Sequence, residues 1–475
     1  MRKKRAATGL AAALALTAAG VGTGGAAEAR TATGTTGTTG ALTGTLNGAP
    51  YVVDVPPQWN GTLLLWNHAF DPGVSTAQDA DPDHAEVKAW LLAHGYALAG
   101  IHYANVAYPT PEAVGADLAL LTWFRAHVGR PTTTLVWGRS LGGQLTAQLA
   151  ERAAPAFDGA LPMCGETAGP TANFNALLDA AYTLNTLVWP TTPVQIAHIG
   201  EPDANQAKAI GQLMTAWQAP DPRTRARLAL AGALADIPDW ADSLAPEPTA
   251  LGDRVDNLVA YLAYEVPGFL WGSGRADTEA RLGGNPSWNI GVDYRTQLAS
   301  SATRDLVAQA YAADGAGGQA ALDADLTALN GGPRVAPDAG AVAALAVQGS
   351  ITGRIGVPTL TLHDTGDGIA PVGNERSYAD AAARTGRSGL LRQAFVARAN
   401  HCFFTGAEEL AALQALIARV GTGQWPDTGA AALNTAAGAF GPDYRQMWSY
   451  FQEGTATVPS AFVDTRPAPF LRGPR

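Results

Sequence analysis

Only two cysteines, Cys164 and Cys402, occur in 475 residues, too few for a disulfide-stapled scaffold. The eight histidines are scattered, so no zinc-type ligand cluster is visible and no metal is predicted. Charge is also scarce. Charged residues make up 15% of the chain and hydrophobic residues 47%, which excludes wholesale disorder and leaves enough apolar material for a sizeable core. Positive charge is the scarcer sign, with 31 Lys and Arg against 41 Asp and Glu. An acidic surface repels phosphate backbones and anionic headgroups, which argues against nucleic acid and membrane surfaces as partners. Beyond the N-terminal region no segment is long and apolar enough to span a bilayer.

What is present begins with that N-terminal region. Arg2, Lys3, Lys4 and Arg5 precede an Ala/Leu-rich run from Ala6 to Val21, and small residues follow up to Ala27-Glu28-Ala29. This is the pattern of a secretory signal, predicted over 1–29. Its removal takes away four cations and one anion, and the formal charge moves from −10 to −13. Secretion would place Cys164 and Cys402 in an oxidising compartment, where a pair tends to close. Residues 30–41 are a Thr/Gly tract without the apolar groups that offset ordering entropy, and they read as a linker.

From residue 42 the pattern becomes structured. Thr45-Leu46, an Asn47-Gly48 turn and Tyr51 to Val55 predict a hairpin, and Thr62 to Trp66 a buried strand. Helical and strand patterns then alternate: helix Ala85 to His94, strand Tyr96 to Ile101, helix Glu112 to Val128, strand Thr133 to Trp137, helix Leu141 to Ala153, strand Gly159 to Met163. Such alternation predicts an α/β fold, a parallel sheet with helices on both faces. The N-terminal part of this core spans 42–165. From 166 to 350 the sequence is Ala/Leu-rich and helical, a lid-like insertion after the sixth strand. Its tryptophans 189, 217, 240, 271 and 288 could line a substrate cavity or pack the insert's helices together. The alternation resumes over 351–420, with strands Pro358 to His363 and Leu390 to Val396 and helices Val372 to Arg387 and Ala407 to Val420. Residues 421–475 form a C-terminal extension with no clear period.

Ser140 stands in Gly138-Arg139-Ser140-Leu141-Gly142, where the strand Thr133 to Trp137 meets a helix. A serine hydroxyl is a poor nucleophile and has to be exposed on a tight turn; Gly138 and Gly142 permit strand and helix to approach closely there. A histidine is required as base, because imidazole can take the hydroxyl proton near neutral pH and return it to a leaving group. Triad residues on this kind of sheet follow the chain order Ser, acid, His, and His401, directly after the last strand, satisfies it. Asp364 and Asp367 are the candidate acids. Asp367 is preferred because it lies four residues past His363, far enough from the strand to reach the imidazole, whereas Asp364 is expected to pin its own turn. His363 reads as structural. Donors for an oxyanion are expected from the Leu141 amide and, after the strand Thr62 to Trp66, from the amides of Ala69 and Phe70, with His68 either holding that loop or simply buried. Cys402 adjoins the base and Cys164 ends the strand after the nucleophile's. A bridge between them would tether the histidine loop near Ser140; two buried free thiols are the alternative.

These residues resemble the α/β-hydrolase superfamily, in particular secreted bacterial esterase- or lipase-like members. The resemblance lies in Asn67-His68-Ala69-Phe70 after a strand, Gly138 to Gly143, His363 to Asp367 and Asn400-His401-Cys402. It covers about Thr43 to Glu166 and Ile351 to Val420, and leaves out the insert. It implies a mostly parallel eight-stranded sheet, a covalent acyl-enzyme and no cofactor. Ala69 replaces the usual Gly of the oxyanion loop, and Asp364 the Gly that usually follows the histidine. Tannase- and feruloyl-esterase-like enzymes join a cysteine beside the serine to one beside the histidine; here Arg139 precedes Ser140, and only Cys402 matches. The expectation is a serine hydrolase of small-molecule carboxylic esters, with oligomeric state open. A peptidase or amidase using the same triad, with a charged pocket from the insert such as Glu201 or Asp203, is the alternative, followed by an inactive hydrolase-like binding protein.

Overall fold

The computed structural model describes residues 39–70, 80–103, 110–315, 317–449 and 451–473. The expected signal segment 1–29 lies outside them, as does the linker apart from its last residues. The first strand, β1 (Gly40–Leu46), begins inside the stretch expected to be linker. It pairs antiparallel with β2 (Ala49–Val55) through Asn47 and Gly48, both at positive φ (52° and 87°), as a two-residue hairpin turn requires.

Seven further strands complete one sheet: β3 (Thr62–Asn67), β4 (Ala97–Ile101), β5 (Thr133–Arg139), β6 (Gly159–Met163), β7 (Thr359–Gly366), β8 (Leu391–Ala399) and, after a separate hairpin of β9 (Gln446–Ser449) and β10 (Gly454–Thr457), β11 (Phe462–Val463). The spatial order is β1-β2-β4-β3-β5-β6-β7-β8-β11. From β4 to β8 every neighbour is parallel. The sheet therefore has nine strands rather than the eight expected. The ninth is two residues of the C-terminal extension, which cap the exposed edge of β8 in antiparallel register and remove a free edge.

The buried central strands explain themselves by period two. Leu63 and Leu65 of β3 and Val136 of β5 join one core with the helices Thr110–His127 and Leu141–Arg152. Leu64, Trp66, Leu135 and Trp137 join a second core on the opposite face with Ala85–Ala93, Gly406–Thr422 and Ala430–Gly438.

Between β6 and β7 the chain forms helices from Pro170–Leu187 to Ala339–Gly349, with no strand among the described residues. They carry their own core, including Trp189, Tyr261, Trp271 and Tyr311. The insert is not a detached lid, because Phe174, Leu282, Ala341 and Leu345 belong to the sheet-facing core. Trp189 and Trp271 pack on each other inside the insert, and Trp217 is tied to Asp256. Trp240 lies beside Gly366, at the end of β7. The C-terminal extension runs back over both parts: Phe470 enters the insert's core, and Arg472 pairs with the buried Asp179 at 2.7 Å.

The carboxyl ends of the parallel strands form one edge. Asn67 lies level with Gly138, Arg139 with Met163 and Gly366 with Ala399. Loops leaving that edge can meet although their sequences are hundreds of residues apart.

Candidate active site

Ser140 sits on the turn between β5 and the helix Leu141–Arg152 at φ 57° and ψ −121°. A non-glycine residue at positive φ is strained, of order 1–3 kcal/mol, and persists only where the surroundings enforce it. Here the enforcement is close packing of backbone. A Cβ on Gly142 would lie 2.0 Å from the Asn67 carbonyl oxygen, and one on Gly143 would lie 2.2 Å from that of Met163. The Ser140 amide is held by the Met163 carbonyl at 3.0 Å. Ser140 is only partly buried, as a nucleophile that a reactant must reach requires.

His401 meets it from the loop after β8. With the tautomer assigned from its partners, Ser140 Oγ donates to His401 Nε2 at 2.7 Å, and His401 Nδ1 donates to Asp367 Oδ2, also at 2.7 Å. The structure thus brings Ser140, His401 and Asp367 into one hydrogen-bonded chain, in the chain order Ser, Asp, His. A serine at positive φ on a strand-to-helix turn, linked in that order to a histidine and an acid, decides the architecture. The fold is that of the α/β-hydrolases.

Asp367 is buried, and its other oxygen accepts from the amides of Ile369 (2.9 Å) and Ala370 (2.8 Å). Burial opposes ionisation, but His401 and His363 outweigh it and hold the carboxyl at about 2. For His401 burial likewise opposes charge, and the anionic neighbours Asp367, Asp364 and Glu265 raise it above its ordinary value.

His363 does more than end a strand, since β7 continues through it to Gly366. Its Nδ1 faces Glu375 at 3.1 Å, while Nε2 faces the Ala370 carbonyl at 2.7 Å and Asp367 at 3.5 Å. Acceptors on both sides require a proton on both nitrogens, so this ring is an imidazolium. Its pKa stands well above the usual value, because Asp367 and Glu375 overcome the burial that opposes charge. Asp364 was expected to pin its own turn. Instead it reaches across to the base loop, accepting from the Phe403 amide at 3.2 Å. Burial, with the neighbouring Asp367, raises its carboxyl to about 7.

The base loop is tied down on several sides. Asn400 and Cys402, which flank His401, have φ of 75° and 62°. Cys402 is bridged to Cys164, with Cα atoms 5.4 Å apart, and its carbonyl accepts from the Arg139 guanidinium, which also pairs with Asp83 at 2.8 Å. Arg398 donates to the Phe403 carbonyl at 3.1 Å and to Glu408 at 2.6 Å. Tyr261, from a π-helical turn of the insert (Tyr261–Glu265), donates its hydroxyl to the Gly366 carbonyl and accepts from the Asn400 amide at 2.7 Å. Cys164, Cys402 and His401 present ligand-type atoms within 4.8 Å of one another. Bridged sulfurs are not thiolates, however, and the imidazole is engaged on both sides, so this trio is no metal centre.

On the opposite flank the β3 loop lies against the elbow. A Cβ on Gly142 would also meet the His68 carbonyl at 2.6 Å. His68 donates to the Ala69 carbonyl at 2.6 Å and accepts from the Tyr103 amide at 3.3 Å, stacked between His102 and Tyr103. It holds the loop. Phe70 packs edge-on against Phe269 of the insert. The Leu141 amide, at the first position of its helix, has no intrahelical acceptor.

Sequence reasoning missed Tyr261, Glu265, Glu375 and the role of Arg139. Of these only Arg139, inside the serine motif, carried a local signal. Glu201 and Asp203 are exposed.

No family model matches the chain. It is 28% identical to an o-phthalyl amidase of Xanthobacter agilis over 421 residues, covering 83% of this chain and 90% of that protein. Among solved structures it is similar to feruloyl esterase B from Aspergillus oryzae (16% identity, 82% of each chain, TM-score 0.42). It is also similar to the tannin acyl hydrolase from Aspergillus niger (14% identity, 89% of this chain and 82% of that one, TM-score 0.39).

Proposed function

We propose that this chain is a secreted serine hydrolase of small carboxylic esters, acting through Ser140, His401 and Asp367 by way of an acyl-enzyme. The observation that carries the reading is the pair of 2.7 Å hydrogen bonds joining Ser140 Oγ, His401 and Asp367. His401 takes the hydroxyl proton as Ser140 attacks the carbonyl and delivers it to the departing alkoxide. It then deprotonates the water that releases the acid. Ionised Asp367 fixes the tautomer and stabilises the imidazolium. The amides of Leu141, Ala69 and Phe70 are the oxyanion donors of this reading. Secretion is supported by the basic and then apolar N-terminus and by a disulfide, which persists in oxidising compartments.

Ser140→Ala tests the assignment: turnover of a chromogenic short-chain ester should fall by at least about 10³-fold with the circular dichroism spectrum unchanged. Undiminished turnover refutes it. Likeness to an amidase favours a second reading, amide hydrolysis by the same residues. Ester and anilide substrates sharing one acyl group separate the two.

A further inference from the structure

Asp367 Oδ2 stands between two imidazole rings. It accepts from His401 Nδ1 at 2.7 Å on one side and faces His363 Nε2 at 3.5 Å on the other. The triad acid is therefore flanked by two histidines, of which the reaction above uses one. His363 and Asp367 are both fully buried, so the charge of the second ring is not screened by bulk water.

That charge is built in. His363 Nδ1 donates to Glu375 Oε1 at 3.1 Å, and Nε2 donates to the Ala370 carbonyl at 2.7 Å. Glu375, from the helix Gly373–Arg384, is fixed in turn by the neutral Thr361 hydroxyl of β7 and Gln393 amide of β8. The carboxyls around the ring are Glu375, Asp367 and, next in the chain, Asp364. The phenols near these carboxyls, Tyr261 and Tyr378, keep their protons, because burial raises them well above their ordinary value. At His401 the anions Asp367, Asp364 and Glu265 favour a proton, and His363 is the buried cation that opposes them. Glu375 offsets only part of that opposition, since it lies on the far nitrogen of the His363 ring.

We propose that His363 is the counter-cation of the triad acid: by sharing the Asp367 oxygen with His401 it limits how tightly the base holds a proton, and so sets the acid end of the pH range in which His401 can accept the proton of Ser140. The inference rests on the catalytic reading above and adds a residue that acts through Asp367. Contacts to one shared oxygen keep the two ring nitrogens within about 6 Å of each other, where unit charges at an effective dielectric constant of about 20 shift one another's titration by about one to two units.

The test is His363→Gln, made in an Asp364→Asn background so that the other titrating carboxyl that feels His363 is gone. Glutamine can place an amide N–H where Nε2 stands, which keeps a donor for Ala370 while the charge is lost. Arg139 and Arg398, on the Cys402 and Phe403 carbonyls, are common to both proteins and cancel from the comparison. Without the cation His401 holds its proton more tightly, so the acid limb of kcat/KM for a short-chain ester should move to higher pH by about one unit or more. A limb that stays in place or moves to lower pH overturns the proposal, as does an equal loss of kcat/KM at every pH, which is what a purely structural histidine would give. Should the variant fail to fold, ¹⁵N spectra of the wild-type histidine rings decide: one ring still doubly protonated at about pH 9 supports the counter-cation, and none overturns it. Labelling of Ser140 by a fluorophosphonate reports on the catalytic reading separately. Wild-type protein that is neither labelled nor active sinks that reading and the inference with it, whereas labelling with an unmoved limb refutes the counter-cation alone.

Discussion

Breaking the Cys164–Cys402 bridge should lower both stability and activity, for separable reasons. The perturbation is the double variant Cys164→Ala/Cys402→Ala, which leaves no lone thiol. The two residues are 238 apart in sequence, and the ring they close contains the whole insert. On the chain-entropy account a ring of that size restricts the unfolded chain by about 5 kcal/mol, near the top of what disulfides contribute. A loss of that order should lower the melting temperature by roughly 5–10 °C. Activity responds to the loop instead. The positive φ of Asn400 and Cys402 stores about 2–6 kcal/mol between them. Without the bridge, the Tyr261, Arg139, Asp364 and Arg398 contacts to Asn400, Cys402 and Phe403 oppose relaxation with about 1 kcal/mol net each. The two sides are comparable, so His401 should drift from Ser140. A displacement of about 1 Å costs on the order of 10²-fold in rate. Thermal melting, and kcat/KM for a short-chain ester well below the melting temperature, read the two effects separately. A variant that melts lower yet keeps wild-type kcat/KM refutes the positioning role. An unchanged melting temperature refutes the ring-closure argument.

Two further outcomes follow from the geometry. His401 must be neutral to act as base, and its anionic neighbours raise its pKa above 6.5, so kcat/KM should fall as pH drops through that raised value. Asp364, itself raised to about 7, is only partly ionised where that limb falls; Asp364→Asn removes this partial charge and should move the acid limb slightly to lower pH, and a pH profile with an unmoved limb refutes the electrostatic reading. Gly142→Ala would drive a methyl group into the backbone oxygen of Asn67. We expect it to destabilise the protein by about 1–3 kcal/mol and to slow fluorophosphonate labelling of Ser140. Wild-type melting and labelling would show that the elbow tolerates a side chain there.

The sequence by itself determined the parts whose signals are local. The alternation of apolar runs and helical periods wrote out the parallel sheet, because strand and helix periodicities are properties of neighbouring residues. Ser140 was legible because its turn needs Gly138 and Gly142 within two positions of it. His401 and Asp367 were legible through chain order, since each follows a strand that ends on the same edge. Tertiary structure alone decided what holds those groups in place. Tyr261 reaches the loops that carry Asp367 and His401 from more than a hundred residues away, in a helix whose pattern encodes only its packing within the insert. Asp364 turned to the base loop rather than to its own turn, because β7 continues to Gly366 and carries Asp364 within reach of Phe403. The C-terminal extension had no readable period, since two residues of β11 become a strand only when the edge of β8 supplies their hydrogen-bond partners. Chemistry that depends on distant partners leaves no pattern in either partner's neighbourhood, and only the folded chain brings them together.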